Sequence, residues 1–257
     1  MSIRVTFLGT GTSGGVPVIG CSCDVCQSND ERDKRLRTSV LIETNNQTLC
    51  VDAGPDFRQQ MLQHNIKNID ALLVTHGHRD HIGGLDDIRP FNFLQGKIVP
   101  IFCDEFAEEM IREQYGYAFK ASDYEYAPKI LFHRINSEPF FVGETKIQPI
   151  EVMHHKLPVR AFRIGDFTYI TDGKTISEQE LNKIKGTKTL VINALRHNDH
   201  NAHFTVTEAL EIAEKIQAEK TYFIHMSHQF GKHEEMQQTL PNNIFIAYDG
   251  LQIVVNA

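Results

Sequence analysis

Residues Thr75 to His81 read T-H-G-H-R-D-H and place four potential metal ligands, His76, His78, Asp80 and His81, within six positions. Imidazole and carboxylate donors together suit zinc or a similar first-row ion. The apolar run Ala71-Leu72-Leu73-Val74 just before them has the composition of a buried strand. The ligands are therefore expected on the loop at its C-terminal end, where loops held by a rigid scaffold commonly carry chemistry. In an extended turn alternate side chains project the same way, which lets His76 and His78 share one ion while Asp80 and His81 reach a second. The bland alternative is a polar loop with surface histidines. Against it, three imidazoles and a carboxylate converging on one strand end are a costly arrangement unless a cation organises them.

The pattern H-x-H-x-D-H resembles the signature of the metallo-β-lactamase superfamily of binuclear metallohydrolases, and the resemblance extends over nearly the whole chain. It implies three further ligands, each after a strand-like run: His154 in V-M-H-H-K-L-P as the third ligand of the first ion, Asp172 in F-T-Y-I-T-D-G as the bridging carboxylate, and His225 closing T-Y-F-I-H as the last ligand of the second. A strand ending in Asp-Gly is, by itself, more often only a turn. Together the seven ligands exceed what one tetrahedral ion holds and fit two ions sharing a carboxylate and a hydroxide. Two-metal sites set their ions about 3.5 to 4 Å apart and stabilise both oxygens of an in-line displacement. That points to hydrolysis of a phosphodiester by a metal-bound hydroxide, with zinc or manganese as the catalytic pair. The glycine-rich run Gly9 to Gly15 lacks the Lys-Ser/Thr ending of a nucleotide-binding loop and reads as a segment that lets backbone approach the site.

Cys21, Cys23 and Cys26 form a C-x-C-x-x-C cluster just after that loop. Five cysteines in all, an odd number, and no signal-peptide pattern at the N-terminus predict a reducing, cytoplasmic setting rather than a disulfide framework. Three thiolates at this spacing suggest a structural zinc that lacks one ligand, and His228, three residues after His225, is the candidate fourth. A sharp turn after His225 would let the two histidines face different ions. Cys50 and Cys103 sit in apolar contexts and read as core. The glycine-rich stretch, the cysteines and the late H-x-x-H resemble the PhnP-type cyclic phosphodiesterases, which carry such a zinc and open a ribosyl cyclic phosphate. Cysteines of this kind also occur in the pyrroloquinoline-quinone biosynthesis branch of the superfamily.

His203 and Asp80 are the catalytic candidates, Asp80 doubling as a ligand. A leaving alkoxide needs a proton, and imidazole has an unperturbed pKa near 6.5. Related phosphodiesterases place a catalytic histidine where His203 stands, just before a helix whose Thr205 and Glu208 form a capping-box pattern. His197 and His200 either bind substrate or face solvent. Enzymes that trim the tRNA 3′ trailer share the core motif, but where they carry His-Glu-Ala-Thr this chain has Asn193-Ala194-Leu195-Arg196. A net charge of −7 also opposes binding to a long phosphate backbone, so a small phosphorylated substrate is expected instead. Lys156, Arg160, Arg196 or Arg89 would receive its terminal phosphate. Hydrolysis of a thioester or lactone on the same metals, and a non-catalytic accessory role in biosynthesis, are the alternatives.

The elements that must position these residues follow from pattern. Strands are expected at 3–8, 38–43, 48–52, 71–74 and 98–102, then at 130–135, 145–152, 160–164, 167–171, 189–193, 221–225 and 244–247. Helices are expected near 56–64, 104–115, 177–184 and 205–218. Mixed α/β content in 257 residues with 41% hydrophobic composition predicts one domain over 1–257, with the zinc segment at 21–26. The arrangement fits a metallo-β-lactamase-like four-layer αββα sandwich. No apolar run reaches membrane-spanning length. Phe91, Phe93, Tyr115, Tyr117, Tyr124 and Tyr126 are expected to cover a surface or form a homodimer contact, with core packing as the alternative.

Overall fold

Alternation of apolar side chains along the strands decides the layering. The computed structural model describes residues 2–44, 46–119 and 126–256. The first half forms β1 (Ser2–Gly9), β2 (Ser39–Glu43), β3 (Thr48–Val51), α1 (Phe57–Gln63), β4 (Ala71–Leu73), α2 (Arg79–Ile82), α3 (Arg89–Gln95), β5 (Val99–Cys103), α4 (Glu105–Gln114), α5 (Gly116–Phe119) and β6 (Ile130–Arg134). The second half forms β7 (Phe140–Val142), β8 (Thr145–His154), β9 (Leu157–Ile164), β10 (Phe167–Ile170), α6 (Glu178–Lys183), β11 (Thr189–Asn193), α7 (Val206–Ile216), β12 (Lys220–Ile224), α8 (His233–Gln237), β13 (Ile244–Ile246) and β14 (Gln252–Asn256). The strands make two seven-stranded sheets, ordered β14-β1-β2-β3-β4-β5-β6 and β13-β12-β11-β10-β9-β8-β7.

Successive side chains of a strand point to opposite faces, and each sheet uses both. Ile3, Val5, Phe7, Leu49, Val51 and Leu73 of the first sheet meet Phe162, Phe167, Tyr169, Val191 and Ile224 of the second in a core between the sheets. The residues between them in sequence face outward: Cys50, Leu72 and Ile101 pack against Phe57, Phe91 and Ile111 of the first set of helices. Ile170, Leu190, Ile192 and Phe223 pack likewise against Leu181, Ala209 and Ile212. The result is the expected α/β sandwich of helix, sheet, sheet and helix.

Differences from expectation are local. β9 begins at Leu157 rather than 160, because a tight turn at His155-Lys156 pairs Leu157 directly with His154. The short edge strands β7 and β14 and the helices α3 and α8 lie outside the expected set; α3 has Pro90 in its first turn and ends at Gly96 with φ +63°, a start and stop signal readable in principle from sequence. In the aromatic segment, Phe91 and Tyr115 belong to the core, and the Tyr115 hydroxyl donates to the Ile82 carbonyl at 2.8 Å. Phe93, Tyr117 and Tyr126 are exposed, and Tyr124 lies outside the described residues. Among the described residues no helix is long and apolar enough to cross a membrane.

Candidate metal centre

The ligand candidates sit where strands end. His76 follows β4, Asp172 follows β10 and His225 follows β12, all strands with parallel neighbours, while His154 is the last residue of β8. Crevices at the carboxyl ends of strands are the usual ligand sites of open α/β sheets. Backbone geometry makes the exits abrupt. Of six non-glycine described residues in the left-handed region, four lie here: Asp52, His155, Asp172 and His225, with φ between 54° and 62°. Such conformations cluster where a functional arrangement over-determines them. Gly54 is required for another reason: a Cβ there would lie 2.0 Å from the carbonyl oxygen of Asp80, so only glycine lets the ligand loop approach β3.

The structure brings all seven candidates together. The ring of His76 lies 4.6 Å from that of His78 and 5.9 Å from that of His154, and His78 lies 5.2 Å from His154. On the other side, His81 Nε2 lies 3.3 Å from an Asp80 carboxylate oxygen and 3.2 Å from one of Asp172. His225 Nδ1 is 3.3 Å from the same Asp172 oxygen. The segment after His78 is not wholly extended, since Arg79–Ile82 makes one helical turn that swings Asp80 and His81 away from the His78 side.

Neighbouring groups fix which ring nitrogen is free. His81 Nδ1 donates to Asp52 Oδ2 at 2.7 Å, and Asp52 is itself held by the backbone N–H and hydroxyl of Thr75. His154 Nδ1 faces the carbonyls of Ala202 at 2.9 Å and Asp172 at 3.1 Å, so it must donate, which leaves Nε2 as the donor atom toward a metal. His76 Nε2 and His81 Nε2 are buried without a hydrogen-bond partner. A lone pair on His81 Nε2 directed at two carboxylates is repulsive unless positive charge lies between them. The electrostatics agree: burial acts to lower the His81 pKa, yet Asp172, Asp52 and Asp80 outweigh it and raise it well above the usual imidazole range. Asp172 is pulled the other way; burial alone would raise it, but His225 and His81 hold it well below the carboxylate range. A divalent cation supplies the charge that this donor set attracts, so the residues fit one.

Cys21, Cys23 and Cys26 converge on His228, whose Nδ1 is 3.2, 3.4 and 3.6 Å from the three sulfurs. Sulfur and nitrogen ligands of a tetrahedral zinc, at bond lengths of about 2.3 and 2.0 Å, stand roughly 3.5 Å apart. The backbone N–H of Cys26 draws the Cys23 thiol down to about 6, whereas burial pushes Cys26 up to about 11. The sharp turn at His225 is what sends His225 and His228 to different clusters.

His203 lies on the loop that follows β11, beside the centre. Its ring is 4.5 Å from His154 and 4.8 Å from His225, and its buried Nδ1, without a hydrogen-bond partner, is 3.7 Å from Asp172 Oδ1. Burial, with His225 and other imidazoles, draws its pKa down to about 3 against the pull of Asp172. Thr205 caps α7 in a full capping box with Glu208, which fixes the approach of His203. His197 packs on Phe230, 5.9 Å between rings. Of the cationic candidates, Arg160 pairs with Asp104 and Glu151, Arg89 pairs with Asp86, and Arg196 braces its own loop through Asn198, Asp199 and Gln229. Lys156, exposed on the turn after His154, has no ion-pair partner among the described residues. Three supporting residues escape a reading of the sequence: Asp52, Thr12, whose hydroxyl lies 3.2 Å from His225 Nε2, and Asn193, which bonds both backbone groups of Gly173. Only Asp52 leaves a trace, as a strand ending in Asp-Ala-Gly.

Residues 47–226 match the beta-lactamase superfamily domain. A solved diphosphatase described as a new member of the PhnP family is 39% identical, with a TM-score of 0.93 over 99% of this chain and 98% of that one. The chain belongs to the beta-lactamase superfamily and, within it, to the PhnP family. An octanoyltransferase of Porphyromonas gingivalis is 36% identical over 99% of this chain, which spans only 52% of that relative's length. Human tRNase Z, short form, shares the fold at 16% identity, with a TM-score of 0.72 over 97% of this chain and 98% of its own. Fold and donor set together are those of a metal-dependent hydrolase.

Proposed function

We propose that the chain is a binuclear phosphodiesterase that hydrolyses a small anionic phosphoester, of which a ribosyl cyclic phosphodiester is one example. The observation that carries this reading is the position of Asp172, which shares a donor group with His76 and His81, another with Asp80 and His225, and a third with His154 and His203. His76, His78 and His154 would hold one divalent ion, zinc or manganese, and Asp80, His81 and His225 the other, with Asp172 shared. Cys21, Cys23, Cys26 and His228 would hold a structural zinc. A bound catalytic pair supplies Lewis acidity and lowers the pKa of water toward about 7.

The protein's own groups do the remainder. Asp52 and Thr75 keep the His81 ring in register, and Thr12 steadies His225. His203 is the group that would pass a proton to the leaving oxygen, and Asp172, 3.7 Å from its Nδ1, favours the protonated ring against the burial and neighbouring imidazoles that disfavour it. Asp80 brings negative charge beside His81 and His225. Lys156, exposed on the turn after His154, would receive the substrate's anionic group. The likeness to a PhnP-family diphosphatase supports phosphoryl chemistry, and the net charge of −7 weighs against a nucleic-acid backbone as substrate. We place the protein in the reducing cytoplasm, where the thiols stay available for zinc, and as a homodimer that covers the exposed Phe93 and Tyr126 rings.

A second reading, hydrolysis of a thioester, is favoured by one finding, the octanoyltransferase relative. Metal analysis combined with turnover on bis-p-nitrophenyl phosphate, an alkyl cyclic phosphodiester, a diphosphate and an acyl thioester separates the two. The phosphoester reading requires two exchangeable ions and turnover of at least one phosphate substrate above the thioester. It also requires that His203→Ala slow the alkyl diester by roughly a hundredfold and the p-nitrophenyl ester, with its stable leaving group, far less. Turnover confined to the thioester would overturn it.

A further inference from the structure

His200 lies three residues before His203 on the same loop, and its surroundings determine its chemical form. Its Nδ1 is 3.2 Å from the backbone nitrogen of Ala202 and 3.2 Å from that of His203. Both are N–H donors, so Nδ1 must accept. An imidazole that accepts at Nδ1 is neutral and carries its proton on Nε2, because imidazolium offers no acceptor at all. The Nε2–H has no partner among the described residues. The ring is only partly buried, less so than His203, and stands 5.0 Å from it. The loop is anchored beside the centre, since the carbonyl of Ala202 receives the Nδ1 proton of His154.

We infer that His200 is a substrate-positioning residue: its Nδ1 braces the loop that carries His203, and its outward Nε2–H donates to a non-bridging phosphoryl oxygen of the bound ester. The inference rests on the phosphoester reading. The fixed tautomer suits the task, because gaining a proton at Nδ1 would sacrifice two backbone hydrogen bonds. The ring therefore stays a neutral donor that orients the phosphate and leaves the proton transfer to His203. A hydrogen bond to a charged oxygen made in ground and transition states alike contributes to binding and leaves the chemical step unchanged.

Two amide substitutions divide the roles, because the asparagine oxygen reaches the place of Nδ1 and the glutamine nitrogen the place of Nε2. His200→Asn keeps the loop brace and removes the outward donor; KM for a phosphodiester should rise roughly tenfold or more with kcat within about twofold of wild type. His200→Gln keeps the donor and loses the brace, so kcat should fall while KM changes little. A loop brace alone predicts that His200→Asn restores both constants, and that result would overturn the inference. Nitrogen-correlated NMR of the metal-loaded protein supplies a readout independent of turnover: the His200 signal should be that of the Nε2–H tautomer and should shift when inorganic phosphate is added. An Nδ1–H signal, or no shift at saturating phosphate, sinks the role of His200. Absence of phosphodiester turnover in wild type with the phosphate-induced shift intact would instead strike the substrate reading.

Discussion

The two donor clusters are built in opposite ways. His76, His81, Asp172 and His225 are 1–2% exposed; His76, Asp172 and His225 follow strands, and His81 sits in the helical turn Arg79–Ile82, its Nδ1 held by Asp52. The cysteine cluster sits on a surface loop: Cys23 is exposed, Cys21 partly so, and the local structure is turns around residues 21–28 plus the Val18 N–H directed at the Cys26 sulfur. The first cluster is held by strand ends, turns and hydrogen bonds that do not depend on its donor atoms alone. The second is expected to owe its order to its ion, because a loop of this kind has little else to offset the entropy of fixing it.

The sharpest break between them should come from Asp172→Ala. Loss of the shared carboxylate should abolish both exchangeable ions and lower turnover by roughly a thousandfold or more, while the zinc of the cysteine cluster stays at one per chain. Metal analysis of the purified variant checks this, and loss of all ions together would mean that the clusters depend on each other. A smaller effect on the same side is expected from Asp52→Asn. The amide still accepts from the Thr75 N–H but no longer compensates the His81 Nδ1 proton as a carboxylate does, and altering a group that orients a metal-ligating histidine costs about 10- to 100-fold in metal affinity or activity. Metal titration of the variant should show the weakening at one ion of the catalytic pair; unchanged affinity would remove Asp52 from the scaffold.

On the cysteine side the expectation reverses. His228→Ala, or serine at Cys21, Cys23 and Cys26 together, should remove one zinc and lower the melting temperature by roughly 5 °C or more, with turnover within a few-fold of wild type. His225→Ala should cut turnover with little change in melting. Equal effects of the His225 and His228 changes on both readouts would erase the distinction between a centre organised by its fold and a loop organised by its ion.

What can be read from sequence divides along the same physical line. His76, His78, Asp80 and His81 are legible because four donors crowd behind one apolar strand, and Cys21, Cys23 and Cys26 because thiols are rare and closely spaced. The layering is legible because strand alternation is a local signal. Asp52 is not, because its role is a contact with His81, 29 residues away, and nothing local distinguishes a carboxylate that orients a ligand from one that closes a turn. The form of His200 is hidden for a similar reason: it is set by two backbone N–H groups whose directions only the folded loop defines. Tyr115 is assignable to the core, because it continues the four-residue spacing of the buried Ala107 and Ile111 on α4, a spacing that grouping it with the neighbouring aromatics obscures.

The smallest expected effect concerns a buried polar bracket of Arg35, His233 and Asp33. Arg35 donates to the Thr10 hydroxyl and the Ala247 carbonyl, and its guanidinium lies 3.5 Å from His233 Nδ1. The backbone N–H of His233 donates to Asp33, whose other oxygen receives the Ser28 hydroxyl near the cysteine segment. Burial, with Arg35 and Arg32, draws the His233 pKa down to about 4, against Asp30 and Asp33. A base with a depressed folded-state pKa refuses a proton that the unfolded chain accepts, so its contribution is full above about 6.5 and is lost as pH falls toward 4. Asp249 acts oppositely: burial pushes it up to about 6, so its share of stability declines as pH rises from about 4 through that value. The two act in opposite directions over the same pH range, so a variant that removes one separates them. His233→Asn keeps an acceptor for Arg35 without a titrating group. The comparison is best made in the background with serine at Cys21, Cys23 and Cys26, where zinc release cannot intrude. There the urea midpoint of the chain that retains His233, minus that of the His233→Asn chain, should be largest above about pH 6.5 and shrink toward pH 4. A difference independent of pH would mean that the His233 ring titrates alike folded and unfolded, and that the bracket is held by its arginine alone.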